Sequence, residues 1–170
     1  MRIAIDIDDT ATYAPEFFAA LTHALNGSEV VIVSYREDAE AARNTLAACG
    51  IRYDRLILAT DPELGRAPHQ KLPAWKAEVI RRIAADVFFE DMPEVVHLIE
   101  PPTKVFRSVT KSCVNGSLKA SIIAGECRQV GSLVVETSLL ENSSPGLTSV
   151  SRVRRLQRFF NQINCFSQTN

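Results

Sequence analysis

No stretch of the chain approaches the run of about 18 apolar residues that a membrane-spanning helix needs, so no span is expected. The start is not leader-like. Met1-Arg2 runs directly into Ile3-Ala4-Ile5 and then into acids, with neither a long apolar segment nor a small-residue cleavage site. Cysteine is scarce: four residues, at 49, 113, 127 and 165, with no CxxC pair and no histidine at zinc-finger distance. A thiolate metal site is therefore not expected, and a reducing, cytoplasmic setting is the default. The seven glycines form neither GxGxxG nor GxxxxGK[ST], so dinucleotide and ATP readings lack their phosphate cradle. Ser34 lacks the flanking glycines of a hydrolase elbow. The three histidines, His23, His69 and His97, have no partners at ligand spacing and read as surface or packing residues.

What is present suffices for one ordinary domain: 170 residues, 46% hydrophobic and 23% charged. The net charge of −1 conceals an asymmetry. Residues 1–107 carry 12 Lys and Arg against 17 Asp and Glu; residues 108–170 carry 7 against 3 and contain no Asp. Serine divides the same way, 2 against 11. The chain thus reads as a domain over 1–107 and a Ser-rich, basic, irregular extension over 108–170. Within the extension, Val153, Leu156, Phe160 and Ile163 share one face of a candidate amphipathic helix, 150–163, that carries four arginines. A disordered tail, a shifted reading frame and a nucleic-acid anchor are alternative accounts of it.

Over 1–107 the pattern alternates strand and helix. Strands are expected at 2–7, 29–33, 55–59, 86–90 and 104–106, each short and β-branched or aromatic. Helices are expected from Pro15 to Leu25, over 37–48, over 74–84 and from Pro93 to Ile99, with Pro opening and Gly closing several of them. Strands alternating with helices imply an α/β fold: a doubly wound, Rossmann-like parallel sheet of about five strands with helices on both faces. Such sheets bind ligands beyond the C-terminal ends of their strands, where the strand order reverses.

The chemistry-bearing residues sit at those ends. Asp6-Ile7-Asp8-Asp9-Thr10 follows strand one, Ser34 follows strand two, Lys76 opens the helix before strand four, and Glu90-Asp91 follows strand four with Glu94 close behind. Any one of these carboxylates could serve as a helix cap. Several converging on one edge call for a cation, and all-oxygen ligands favour a hard one such as Mg²⁺. An Asp can attack phosphorus, and a second Asp can move the proton. Ser34 and Lys76 are the right types to hold phosphoryl oxygens.

This arrangement resembles the haloacid dehalogenase superfamily of aspartate-dependent phosphatases and phosphotransferases. Asp6-x-Asp8-x-Thr10 matches its first motif, Ser34 after Val30-Val-Ile-Val33 the second, Lys76 the third, and Glu90-Asp91 its acidic fourth. The resemblance covers residues 2–107. It implies that Asp6 is the nucleophile and a Mg²⁺ ligand, and that Asp8 is the general acid and base with its backbone carbonyl on the metal. It also implies that Thr10 steadies the loop, that Ser34 and Lys76 bind the phosphoryl group, and that Asp91 is the third protein ligand. Asp9, Glu90, Glu94 and Arg36 are candidate surrounding residues. Two departures stand: the fourth motif commonly begins with Asp rather than Glu90, and Lys71 competes with Lys76. There is room for little or no cap domain, so the loop over 60–74 with Tyr13, Tyr35 and Arg36 would wall the pocket.

The expectation is a cytoplasmic, Mg²⁺-dependent phosphomonoester hydrolase working through an aspartyl-phosphate. Its substrate would be a phosphorylated small molecule or an exposed phosphate on a larger one. A nucleotidase-like enzyme, a phosphotransferase and a catalytically silent phosphate-binding domain are the alternatives, with a nucleic-acid partner and a homo-oligomer left open.

Overall fold

The computed structural model describes residues 1–110, 120–124 and 134–136. Five parallel strands form the body of the sheet: β1 (Arg2–Ile5), β2 (Glu29–Ser34), β3 (Arg55–Leu58), β4 (Val87–Glu90) and β5 (Lys104–Thr110). The helices between them are α1 (Pro15–Ala24), α2 (Ala39–Ala48), α3 (Leu72–Arg82) and the short α4 (Pro93–Val96). Two further strands, β6 (Ala120–Ala124) and β7 (Val134–Glu136), add antiparallel at the β5 edge, giving the order β3-β2-β1-β4-β5-β6-β7. The chain is therefore an α/β, Rossmann-like fold. Strand β5 runs past residue 107 to Thr110 and pairs with β6, so the ladder crosses the point where composition changes. The helix expected over 150–163 lies outside the described residues.

The two-residue period of the strands divides the core between the faces of the sheet. Ile3 and Ile5 face one side, where they join Phe17, Phe18 and Leu21 of α1 and Leu46 of α2. Ala4, between them, faces the other side, with Trp75, Val79 and Ile80 of α3 and Val95 of α4. Helices thus cover both faces, and the inner strands are buried almost throughout, which is why they read as continuous apolar runs.

Local chemistry sets the helix starts. Asp38 accepts hydrogen bonds from the Glu40 and Ala41 amides, so α2 begins two residues later than the expected 37. Helix α3 begins at Leu72 rather than 74 because Pro73 occupies its first turn, where no amide donor is needed. Helix α4 ends at Val96, and the expected residues to Ile99 continue in a tighter turn, with the Leu98 amide donating to the Val95 carbonyl.

Strand β1 stops at Ile5, short of the expected residue 7. The backbone then makes one wide turn over Ile7–Ala11, in which the Ala11 amide donates to the Asp6 carbonyl and the Thr12 amide to that of Ile7. Such i→i+5 turns recur at functional sites because they redirect side chains without breaking the chain's hydrogen bonding. Inside it Asp9 adopts a left-handed conformation, φ 54°, unusual for a residue with a side chain.

The loop after β3 is tightly built. The Asp61 carboxylate accepts from the Glu63 and Leu64 amides, and the buried Trp75 indole donates to the Leu64 carbonyl at 2.7 Å. Gly65 is required there, because a Cβ at that position would collide with the Asp61 carbonyl. Among the described residues no helix is long and apolar enough to cross a membrane.

Candidate functional site

The strand order reverses between β1 and β4: successive strands lie to one side of β1 through β3 and to the other through β5. That is the switch point at which doubly wound sheets bind ligands. Ile5 pairs with Phe89, so the next residues in register, Asp6 and Glu90, lie side by side at the carboxyl end of the sheet. The Asp6 amide donates to the Phe89 carbonyl and fixes that register at its last rung.

Lys76 reaches this point from α3. It lies on the same helical stripe as Trp75, Val79 and Ile80, and its side chain is 1% exposed. Its ammonium donates to Asp6 Oδ1 at 2.7 Å and to Glu90 Oε2 at 2.8 Å, and sits 4.1 Å from the centre of the Tyr35 ring. Two carboxylates and an aromatic face thus surround one buried cation. Lys71, the competing lysine, is exposed at the N-terminal end of α3 and takes no part.

Glu90 is committed to the protein. Its Oε2 takes Lys76, and its Oε1 accepts from the Asp91 and Met92 amides at 3.2 and 3.1 Å. Asp91 is half-buried and accepts from the Thr10 hydroxyl at 3.4 Å, while its backbone carbonyl accepts from Arg107. One oxygen from each of Asp6, Glu90 and Asp91 lies within 4.8 Å of the others. Three carboxylates around one ammonium leave an excess of negative charge in a site with little water.

The titration behaviour follows from that imbalance. Burial pushes the Asp6 carboxyl up to about 7; Lys76 opposes the shift, and Glu90 and Asp91 add to it. Burial likewise raises Glu90 despite Lys76. Burial pulls the Lys76 ammonium down, but Asp6 and Glu90 outweigh it and leave it above its ordinary value. Burial, then Glu90, Asp6 and Asp91, raise the Tyr35 phenol, whose hydroxyl is buried without a hydrogen-bond partner among the described residues.

Ser34 ends β2, fully buried, and its oxygen accepts from the Arg36 amide at 3.3 Å, while its own proton has no acceptor among the described residues. The β1–β2 register places it one residue beyond Asp6. Asp8 stands apart: its side chain is 53% exposed and is ion-paired with Arg36 at 2.6 Å. Asp9 and Glu94 are exposed and outside the three-carboxylate group. Tyr35 lies in the site as a wall, tilted against Trp75.

The structure therefore brings together Asp6, Thr10, Lys76, Glu90, Asp91 and Tyr35, and sets Asp8 with Arg36 at the rim. Two contributors had no sequence signal: Thr45, which binds Arg36, and Arg107, which holds the Asp91 carbonyl. Both act through contacts between elements distant in sequence. No family model, curated protein or solved structure matches the chain.

Proposed function

We propose that the chain is a divalent-metal-dependent phosphomonoester hydrolase of the haloacid dehalogenase type, with Asp6 as nucleophile. The observation that carries this reading is the group at the switch point: Asp6, Glu90 and Asp91 within 4.8 Å of one another, with a single buried lysine bridging the first two. Their charge excess and all-oxygen donor set suit a hard cation. Asp6 and Asp91 are the residues that would hold it, since Glu90 is occupied by Lys76 and two amides. Bound Mg²⁺ would supply charge neutralisation at the phosphoryl oxygens.

The residues of the chain divide the remaining tasks. An Asp6 carboxylate oxygen forms a bond to phosphorus as the ester P–O bond breaks, and the departing alkoxide takes a proton from the Asp8 carboxyl. Asp8, now a carboxylate, takes a proton from water. The resulting hydroxide attacks phosphorus, the P–O bond to Asp6 breaks, and the Asp6 carboxylate and inorganic phosphate are restored. Lys76 is fixed beside Asp6, where its charge favours the anionic carboxylate and the transferring group. Ser34 can donate to a phosphoryl oxygen with the proton that its own contacts leave free.

The test is hydrolysis of p-nitrophenyl phosphate with and without Mg²⁺. Turnover that requires Mg²⁺ and is lost in Asp6→Asn supports the reading. Wild-type activity no greater than that of Asp6→Asn overturns it and leaves a phosphate-binding domain.

A further inference from the structure

Asp8 is the one proposed catalytic group that the fold does not bury. Its side chain is 53% exposed, and its own backbone lies next to the left-handed Asp9 at the bend of the wide turn. A short, exposed carboxylate at such a bend has several rotamers open to it, and proton transfer requires one of them within hydrogen-bond reach of the departing oxygen.

Arg36 removes that freedom. Its Nε donates to both Asp8 oxygens, at 3.2 and 3.0 Å, and its Nη2 donates to Oδ1 at 2.6 Å. This fork fixes the plane of the carboxylate as well as its position. The guanidinium is itself anchored from behind, because Nη1 donates to the Thr45 hydroxyl at 2.6 Å and that hydroxyl donates to the Ala41 carbonyl within α2. The Arg36 amide also donates to Ser34 Oγ, which ties the same residue to the end of β2. Helix α2, through the Arg36 side chain, and strand β2, through the Arg36 backbone amide, thus both reach the acid by way of one residue.

The geometry points to Arg36 as a positioning residue that orients Asp8 for proton transfer to the leaving group, the fork being made to the carboxylate that remains once the alkoxide has taken the proton. This inference rests on the phosphatase reading above and assigns Arg36 no contact with substrate.

The experiment compares kcat/KM for two substrates that differ in their need for an acid. That parameter reports the steps through alcohol departure, so the later attack of water does not enter it. p-Nitrophenolate leaves with little protonation, whereas the alkoxide from β-glycerophosphate requires it. The readout is the ratio of alkyl to aryl kcat/KM, with Asp8→Asn defining the effect of losing the acid. A positioned acid contributes about 10²- to 10⁴-fold, so Arg36→Gln is expected to lower the ratio by about tenfold or more. Thr45→Val is expected to lower it less, Arg36→Lys to restore it only in part, and Asp8→Asn/Arg36→Gln to match Asp8→Asn alone. Circular-dichroism melting confirms that the variants are folded.

An unchanged ratio in folded Arg36→Gln, or equal losses on both substrates, overturns the positioning role while leaving the phosphatase reading intact. A wild type without Asp6-dependent turnover overturns both.

Discussion

Lys76 and Asp6 are 70 positions apart in sequence and 2.7 Å apart in space, in a site where the lysine side chain is 1% exposed. Each charge there depends on its neighbours. Replacing Lys76 with Met strands the Asp6 and Glu90 carboxylates without their cation. The expected loss is about 3–5 kcal/mol, the usual cost of removing one partner from a buried pair. The triple variant Asp6→Asn/Lys76→Met/Glu90→Gln removes the stranded charges as well and is expected to be more stable than Lys76→Met alone. Urea unfolding midpoints at constant slope measure both.

Magnesium is expected to stabilise the folded chain through Asp6 and Asp91. At a free concentration a hundred times its Kd, the gain is about 2.7 kcal/mol, read as a rise in melting temperature. Asp91→Asn should abolish the rise. Glu94→Gln should preserve it, because Glu94 is exposed and outside the carboxylate group.

Thr10 donates to Asp91 at 3.4 Å and so helps to set that carboxylate's direction. Thr10→Val keeps the shape and removes the donor. Loss of a partner to a metal ligand commonly weakens binding by about tenfold or more, and this long hydrogen bond places the expected effect near tenfold. Titration calorimetry with Mg²⁺ measures it.

The loop after β3 hangs on Trp75, whose indole donates to the Leu64 carbonyl at 2.7 Å in a buried setting. Trp75→Phe leaves that carbonyl without its donor, for an expected loss of about 1–3 kcal/mol. Gly65→Ala forces a Cβ against the Asp61 carbonyl, and strain of that kind costs about 1–3 kcal/mol. Chemical denaturation measures both losses, and limited proteolysis, expected to be faster in each variant than in the wild type, reports the loosening of the loop.

The parts of the site that could be read in advance are those in which position along an element fixes direction. Asp6 follows the buried strand β1 and Glu90 ends the buried strand β4, so both had to emerge at the carboxyl edge of the sheet. Lys76 falls in the helix expected over 74–84, whereas Lys71 falls in the loop before it; that Lys76 faces inward beside Val79 and Ile80, and that Lys71 is exposed, is seen in the structure. What Glu90 binds was not legible. Its longer side chain turns back to Lys76, brought by α3 from 14 residues away, and to the amides of the next two residues in the turn after β4. The pairing of Arg36 with Asp8 was equally hidden, since it joins two turns whose mutual orientation no local pattern encodes. Boundaries shifted for local reasons, as at Ile5, where the wide turn begins.

The reversal of strand order has a consequence for how the chain reaches this state. Residue 6 directly follows β1, the first strand in sequence, yet its partners at 76 and 90 lie on α3 and at the end of β4, so these contacts close only when β4 is docked beside β1. Contacts between residues so far apart in sequence are expected to close late in folding, and with them the loss of water from the three charged groups. Substitutions in the Lys76 cluster should therefore appear mainly in the rate of unfolding, with the folding rate little altered. The lifetime of the native state, more than the speed of its formation, is then expected to be set at the same few residues to which the proposed chemistry is assigned.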